Sequence, residues 1–437
     1  MTPRVRVIRG RVFSFRDDPA AAGSSASVYI EDGAVLIVDG RVEETGEARE
    51  ILPRAPKGAA LDDHSGSIVM SGFIDGHIHY PQTQVIGSYG AQLLDWLQNY
   101  TFVEEQKFAD PGHSAKIAEF FLDELFRCGT TTAMVYCTVH PQSVDAFFAA
   151  AERRRARMIA GKVMMDRDAP RALRDTAKRG YDESRALIER WQGRGRLNYA
   201  ITPRFAVTSS KEQLEAAGAL SEEFPDAYVQ THLDENKAEI ARVAELFPDA
   251  LSYLDVYDRA GLLGPRSVFG HCIHLLDSEV AALAASRSVA AFCPTSNLFL
   301  GSGLFDRERF IRAGVSIALA TDVGGGTSYS MLRTAAEGYK VLQLSGQSWP
   351  ASQAFYQMTL GNARALSLDD RIGSIEAGKE ADLVVLDPRA TPAMAHRMET
   401  AGGALEKELF VLLTIGDDRA VRETYVAGQP RKAGPLV

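Results

Sequence analysis

Short, nearly continuous apolar runs alternate with stretches of helical spacing through the middle of the chain, from about residue 69 to residue 369. Eight such runs stand out: SIVMSGFIDGHIH, TTTAMVYCTV, RMIAGKVMMD, LNYAITPRF, AYVQTHLDE, SVFGHCIHL, SVAAFCPTSN and VSIALATDVG. Between them lie segments such as SAKIAEFFLDELFRCG and SVDAFFAAAERRRAR, in which apolar residues recur every three to four positions. Strands of a parallel sheet are covered by helices on both faces, so they read as unbroken apolar runs. Strand and helix alternating in this way predict an α/β fold, and eight units in succession predict a TIM (β/α)8 barrel. A doubly wound open sheet shares the alternation; the count of eight favours the closed ring.

The texture changes at both ends. RVRVIRGRVFSF and ASVYIEDGAVLIVDGRVEETG alternate like strands, with EDG and DGR read as hairpin turns. IGSIEAGKEADLVVLDP, FVLLTIG and RETYVAGQP repeat that texture after about residue 370. The two ends are therefore expected to pair into one small β-sandwich domain, formed by residues 1–68 and 370–437, with the barrel at 69–369.

Composition narrows the function. The 437 residues are 46% hydrophobic and carry a formal net charge of -9, which gives no basic track for nucleic acid and no polybasic membrane anchor. A small neutral molecule fits that balance as partner. The four cysteines, Cys128, Cys137, Cys272 and Cys293, form no CxxC pair and sit in apolar runs, so buried free thiols and a cytoplasmic setting are expected. The arginine-bearing start lacks an apolar signal core, and no run of 18 apolar residues occurs, so neither export nor membrane insertion is expected.

The apolar runs end in groups that a core rejects: His77 and His79, Arg204, His232, His271 and Asp322. In a barrel these ends share one face and converge on one pocket. Residues i and i+2 of a strand point to the same side, so His77 and His79 can approach one metal ion, although an HxH pair alone is as often structural. His232 alone reads as a pocket wall, and Glu235 as a glutamate complementing a helix dipole. His271 ends the sixth strand; His274 is read as structural, or as a support for the groups in front of it. Asp322, ahead of three glycines, has no evident stabilising role. Together the histidines and the aspartate make an open site of zinc type with a place left for water, and Glu235 stands ready to move protons. Lys162 lies inside the third strand, where a salt bridge or phosphate-like contact is expected.

GFIDGHIH, THLDEN, GHCIHL and ATDVGG resemble the amidohydrolase superfamily, and IGSIEAGKEADLVVLD resembles the β segment that follows its barrel. HYPQTQVIGSYGAQLLDWLQNYTFVEEQKF, TPRFAVTSS and CPTSNLFLGSGLF are similar, more narrowly, to its guanine deaminase family. The resemblance implies metal ligands His77, His79, His232 and Asp322, and His271 as a further site histidine touching the metal or its water. It implies Glu235 as proton shuttle, Asp322 also as proton acceptor, and Gln82, Arg204 and Phe205 as substrate contacts. The activity implied is hydrolytic deamination of guanine at C2, giving xanthine and ammonia, by a water activated on one divalent ion. Zinc is the first choice of ion and ferrous iron the second, with a homodimer as the assembly and purine catabolism as the setting. The alternative is an aminohydrolase of a related ring: 8-oxoguanine, a pterin, cytosine or a triazine. A metal-free scaffold is disfavoured because the ligand set is whole.

Two positions depart from the family pattern. Asp234 stands where serine is common and would raise the pKa of Glu235 if the two faced each other. Phe292 replaces a frequent histidine and is given no catalytic role. The aromatics Trp96, Tyr100, Phe102 and Phe108 are left open between entry lid, oligomer contact and core.

Overall fold

The computed structural model describes residues 4–90 and 92–432. Eight parallel strands run in chain order around the barrel: Phe73–His79, Thr130–Tyr136, Arg157–Gly161, Leu197–Pro203, Tyr228–Leu233, Ser267–His271, Val289–Phe292 and Ser316–Leu319. Their residues are almost all buried, as expected of strands with helices outside and side chains within. The helices carry the stripes that the sequence shows. In Pro111–Arg127, for example, Ile117, Phe121, Leu125 and their neighbours are buried, and the Asp110 side chain caps the start by accepting from Gly112 N.

Closing the ring needs help, because the first and eighth strands meet through few ladder bonds. Asp322 N donates to His77 O (2.9 Å) and His79 N to Val323 O (2.9 Å). Below them Asn362 fills the seam: its amide donates to Ile74 O (2.6 Å) and Leu319 O (2.8 Å) and accepts from Leu319 N (2.8 Å). The buried Asp75 carboxylate accepts from Thr321 N (3.0 Å) and His77 N (3.2 Å), tying the two strands above.

Both chain ends contribute to one seven-stranded mixed sheet, in the order Gln429–Pro430, Val421–Val426, Leu383–Leu386, Ala60–Ser71, Val5–Phe15, Ser27–Val38, Arg41–Glu47. Its edge strand Arg41–Glu47 curls back to the segment before Leu383, where Val42 N donates to Lys379 O (2.9 Å) and Gly378 N to Val42 O (2.8 Å). Ile8, Val12, Val35, Ile37, Val69 and Val385 fill the inside of this curl. Residues 1–3 and 433–437 of the expected domain ends lie outside the described residues.

Three local expectations change. The run SIVMSGFIDGHIH is two strands: Ile68–Ser71 pairs with Leu383–Leu386 in the mixed sheet, and the barrel begins at Phe73. Gly72 makes the passage possible, since a Cβ there would come 2.3 Å from Thr131 Oγ1. DGR is a hairpin turn, with Asp39 and Gly40 both at positive φ (50° and 86°) between the paired Val38 and Arg41. EDG is not: the strand Ser27–Val38 runs straight through it, and the register slips between Gly10 and Val12, which makes a bulge. FVLLTIG is also not a strand but the end of a helix, Leu405–Ile415, because a short apolar run carries no period of its own. Leu405 and Leu409, upstream of that run, and Leu412 within it recur at helical spacing.

The small domain is welded to the barrel floor. Glu380, just before Leu383–Leu386, accepts from Arg157 Nε (2.7 Å) and Arg196 Nε (2.9 Å), at the starts of the third and fourth strands. Arg196 also donates to Asp382 (3.1 Å), whose backbone carbonyl accepts from Gly72 N (2.8 Å). All four cysteines are free and buried. Among the described residues no helix is long and apolar enough to cross a membrane.

Candidate active site

His77 and His79 leave the first strand on the same side and meet His232 from the fifth strand and Asp322 from just beyond the eighth. The Nε2 atoms of His77 and His79 lie 3.3 Å apart, those of His79 and His232 3.2 Å, and Asp322 Oδ1 is 3.3 Å from both His77 and His79. Ligand atoms arranged tetrahedrally around an ion at the usual zinc–nitrogen distance are separated by about 3.3 Å, so these donors are spaced for one small cation. The protonation states agree. Burial pushes His79 down to about 3 against the pull of Asp322, and burial together with the neighbouring imidazoles holds His232 well below its ordinary value. Burial opposes ionisation of Asp322, but the imidazoles of His77 and His79 outweigh it and hold the carboxyl well below its usual range. Three imidazoles and one carboxylate are the donor set a divalent ion takes. His232 Nδ1 donates to Arg204 O (2.7 Å), which leaves its Nε2 lone pair facing the group. Gly270 is small of necessity: a Cβ there would stand 2.9 Å from His77 Cε1.

A second, overlapping group of His271, Cys293 and Asp322 shares its carboxylate with the first. Burial pushes the Cys293 thiol well up, so it is the neutral, weakly ligating form.

Beside the donor group stands Glu235, 2% exposed, with Oε2 3.4 Å from His271 Nε2 and Oε1 accepting from the Ser302 hydroxyl (3.0 Å). Burial, reinforced by the charge of Asp322 and opposed by the Ser302 hydrogen bond, raises it to about 8. His271 Nδ1 is bonded to Asn297 Oδ1 (2.9 Å), which turns Nε2 toward Glu235 and Asp322 (3.7 Å). His274 is a support: its Nε2 bonds the Ser302 carbonyl (2.9 Å) and fixes the loop that carries Ser302. Asp234 does not face Glu235 as the conditional expectation required. It faces Glu279 and Glu239, and burial with those charges raises it to about 9.

Gln82, Arg204 and Phe205 line the same pocket as His79, His232, Glu235, His271 and Asp322, with Leu93, Trp96, Leu97 and Leu300 as apolar walls. Gln82 Oε1 accepts from Gly324 N (3.1 Å), and its Nε2 donates to Glu105 (3.3 Å). Arg204 Nη1 donates to both Glu105 oxygens (2.9 and 2.8 Å), and its guanidinium lies over the Phe102 ring (5.4 Å). The aromatics thus divide their roles: Trp96 is pocket wall, Phe102 a platform for Arg204, Phe108 core against Tyr80, and Tyr100 is packed at its edge. Lys162 is paired with Asp175 and lies 3.5 Å from Glu183, and Phe292 is stacked on Phe305 (4.6 Å). Sequence reasoning did not find Glu105, Asn297, Ser302 or Asp75. Each is an ordinary polar residue in a helix, loop or strand, with no spacing that marks it.

The chain is similar to known proteins over nearly its whole length. The amidohydrolase family model matches residues 68–431. Guanine deaminase of Escherichia coli (strain K12) is 51% identical over 406 residues, covering 93% of this chain and 92% of that protein. Among solved structures, the E. coli guanine deaminase superposes with a TM-score of 0.95 at 49% identity, over 97% of this chain and 99% of that one. A guanine deaminase from C. acetobutylicum, with bound guanine in its active site, gives 0.85 at 27% identity, over 98% and 99%. With a family model spanning most of its length and a full-length relative at this identity, the chain belongs to the amidohydrolase family.

Proposed function

We infer that the chain is a guanine deaminase: guanine and water enter, xanthine and ammonia leave. The observation that carries this is that Arg204 and Gln82 share one small pocket with His79, His232 and Asp322 of the donor group and with Glu235, in a chain whose near-full-length relatives are guanine deaminases. Guanine offers a carbonyl acceptor at O6 and donors at N1 and the exocyclic amine. In this reading the free N–H groups of Arg204 meet O6, the second N–H and lone pair of Gln82 meet the adjacent edge, and Phe205 covers a ring face. A divalent ion held by the three histidines and Asp322, zinc by its match to this donor set, would supply a Lewis acid and a water acidified toward neutral pH.

The chain's own groups move the protons. Glu235 takes one proton from the attacking water and Asp322 the other, and His271, turned inward by Asn297, holds that water in line. Glu235 hands the proton to the ring nitrogen beside C2. A C2–O bond forms, the C2–N bond breaks, and the amine leaves as ammonia with the second proton of the water. A site built of buried donors and acceptors rejects rings that leave them unpaired. The same reading carries a homodimer, a cytoplasmic setting and a place in purine catabolism; the free buried cysteines support the setting. The test is ammonia release by the purified protein from guanine, 8-oxoguanine, cytosine, adenine, pterins and triazines. Guanine should have the highest kcat/KM and yield xanthine; faster turnover of another ring would replace it.

A further inference from the structure

Glu105 is fully buried (0% exposed), and among the described residues its carboxylate hydrogen-bonds only to Arg204 and Gln82. Both partners line the pocket. We propose that Glu105 is a positioning residue that sets the donor and acceptor pattern presented to the purine edge, a role that rests on the reading of Arg204 and Gln82 as its contacts. One guanidinium nitrogen, Nη1, is committed to both carboxylate oxygens, so Nη2 and Nε are the donors left for the ligand. Phe102 lies under the guanidinium and fixes its tilt. Gln82 is fixed in the same way from two sides. Gly324 N–H donates to its Oε1 while Glu105 accepts from its Nε2, and a flipped amide would set oxygen against carboxylate and N–H against N–H. Glu105 also cancels the charge of Arg204, so the pocket meets a neutral ring without an unpaired buried cation.

The experiment is a double-mutant cycle of Glu105→Gln and Arg204→Gln, with kcat and KM for guanine and metal content measured on each protein. Glu105→Gln should raise KM and lower kcat/KM at least tenfold while metal per chain is unchanged. In the Arg204→Gln background the same substitution should cost clearly less than in the parent, the remainder being its effect through Gln82. A role in folding alone would lower kcat and metal content together and leave KM where it was, and that result overturns the proposal, as does an undiminished tenfold loss without Arg204. Should Glu105→Gln not fold, Glu105→Asp decides: the charge retracted by one methylene should raise KM severalfold, and an unchanged KM overturns the role. If the parent protein works on another ring and not on guanine, the guanine reading falls by itself. The coupling measured on that other ring then upholds or overturns Glu105.

Discussion

In the proposed reaction Glu235 moves a proton from water to ring, and at the donor group it joins a buried carboxyl, a hydroxyl partner and a neighbouring imidazole. Glu235→Gln keeps the shape and removes the proton. It should retain one ion per chain by elemental analysis, while ammonia release from guanine falls by about 10²–10⁴, the range for a lost general acid and base. Activity near that of the parent would take Glu235 out of the mechanism. At this scale the sequence was readable where conspicuous groups gather: histidines two apart at one strand end, histidines at the ends of other strands and an aspartate before three glycines have, taken together, few structural explanations. Glu105 was not readable. It stands beside Glu104, which pairs with Lys107 and is less deeply buried, and the π-turn at Leu97–Thr101 shifts the helical phase by one residue before them. Periodicity therefore could not say which glutamate points inward.

At the scale of elements, strand count and order followed from the apolar runs, whereas their junctions did not. Gly72 divides one run between two sheets by a close backbone approach that only tertiary packing reveals. The helix Leu405–Ile415 hides in a run too short to show a period. Asn362 is the element-scale test of how the ring closes. Replacing it with alanine leaves Leu319 N, Leu319 O and Ile74 O without their side-chain partner in a buried seam. At about 1–3 kcal/mol for each unsatisfied buried group, Asn362→Ala should lose at least about 3 kcal/mol in urea unfolding. A loss below about 1 kcal/mol would show that backbone bonds alone hold the first and eighth strands.

At the scale of the whole molecule, the ion pairs around Glu380 predict how barrel and β domain respond to acid. Burial would raise this carboxyl, but Arg157 and Arg196 outweigh it and hold it at about 2, below its ordinary 4.5. A carboxyl depressed in the folded state stabilises fully above its unfolded pKa, and that contribution fades as pH falls from about 4.5 toward 2. A shift of this size corresponds to about 3 kcal/mol. Urea midpoints of the parent and of Glu380→Gln should therefore differ most at pH 7 and draw together as pH falls from about 4.5 toward 2; a constant gap would mean the weld does not titrate.

The seam between the first and eighth strands has a further consequence. His77 and His79 belong to one side of it and Asp322 to the other, and Asp322 N and His79 N bond across it. Whatever draws those three side chains together also clasps the circle shut, so occupancy of the centre and integrity of the scaffold are thermodynamically linked. A ligand at one hundred times its dissociation constant contributes about 2.7 kcal/mol to stability. Stripping the protein with a chelator should lower its Tm by several degrees and speed amide exchange first at residues 77–79 and 321–323. Adding back stoichiometric zinc should reverse both, whereas exchange that rises evenly over the whole ring would show that the fastening lies elsewhere.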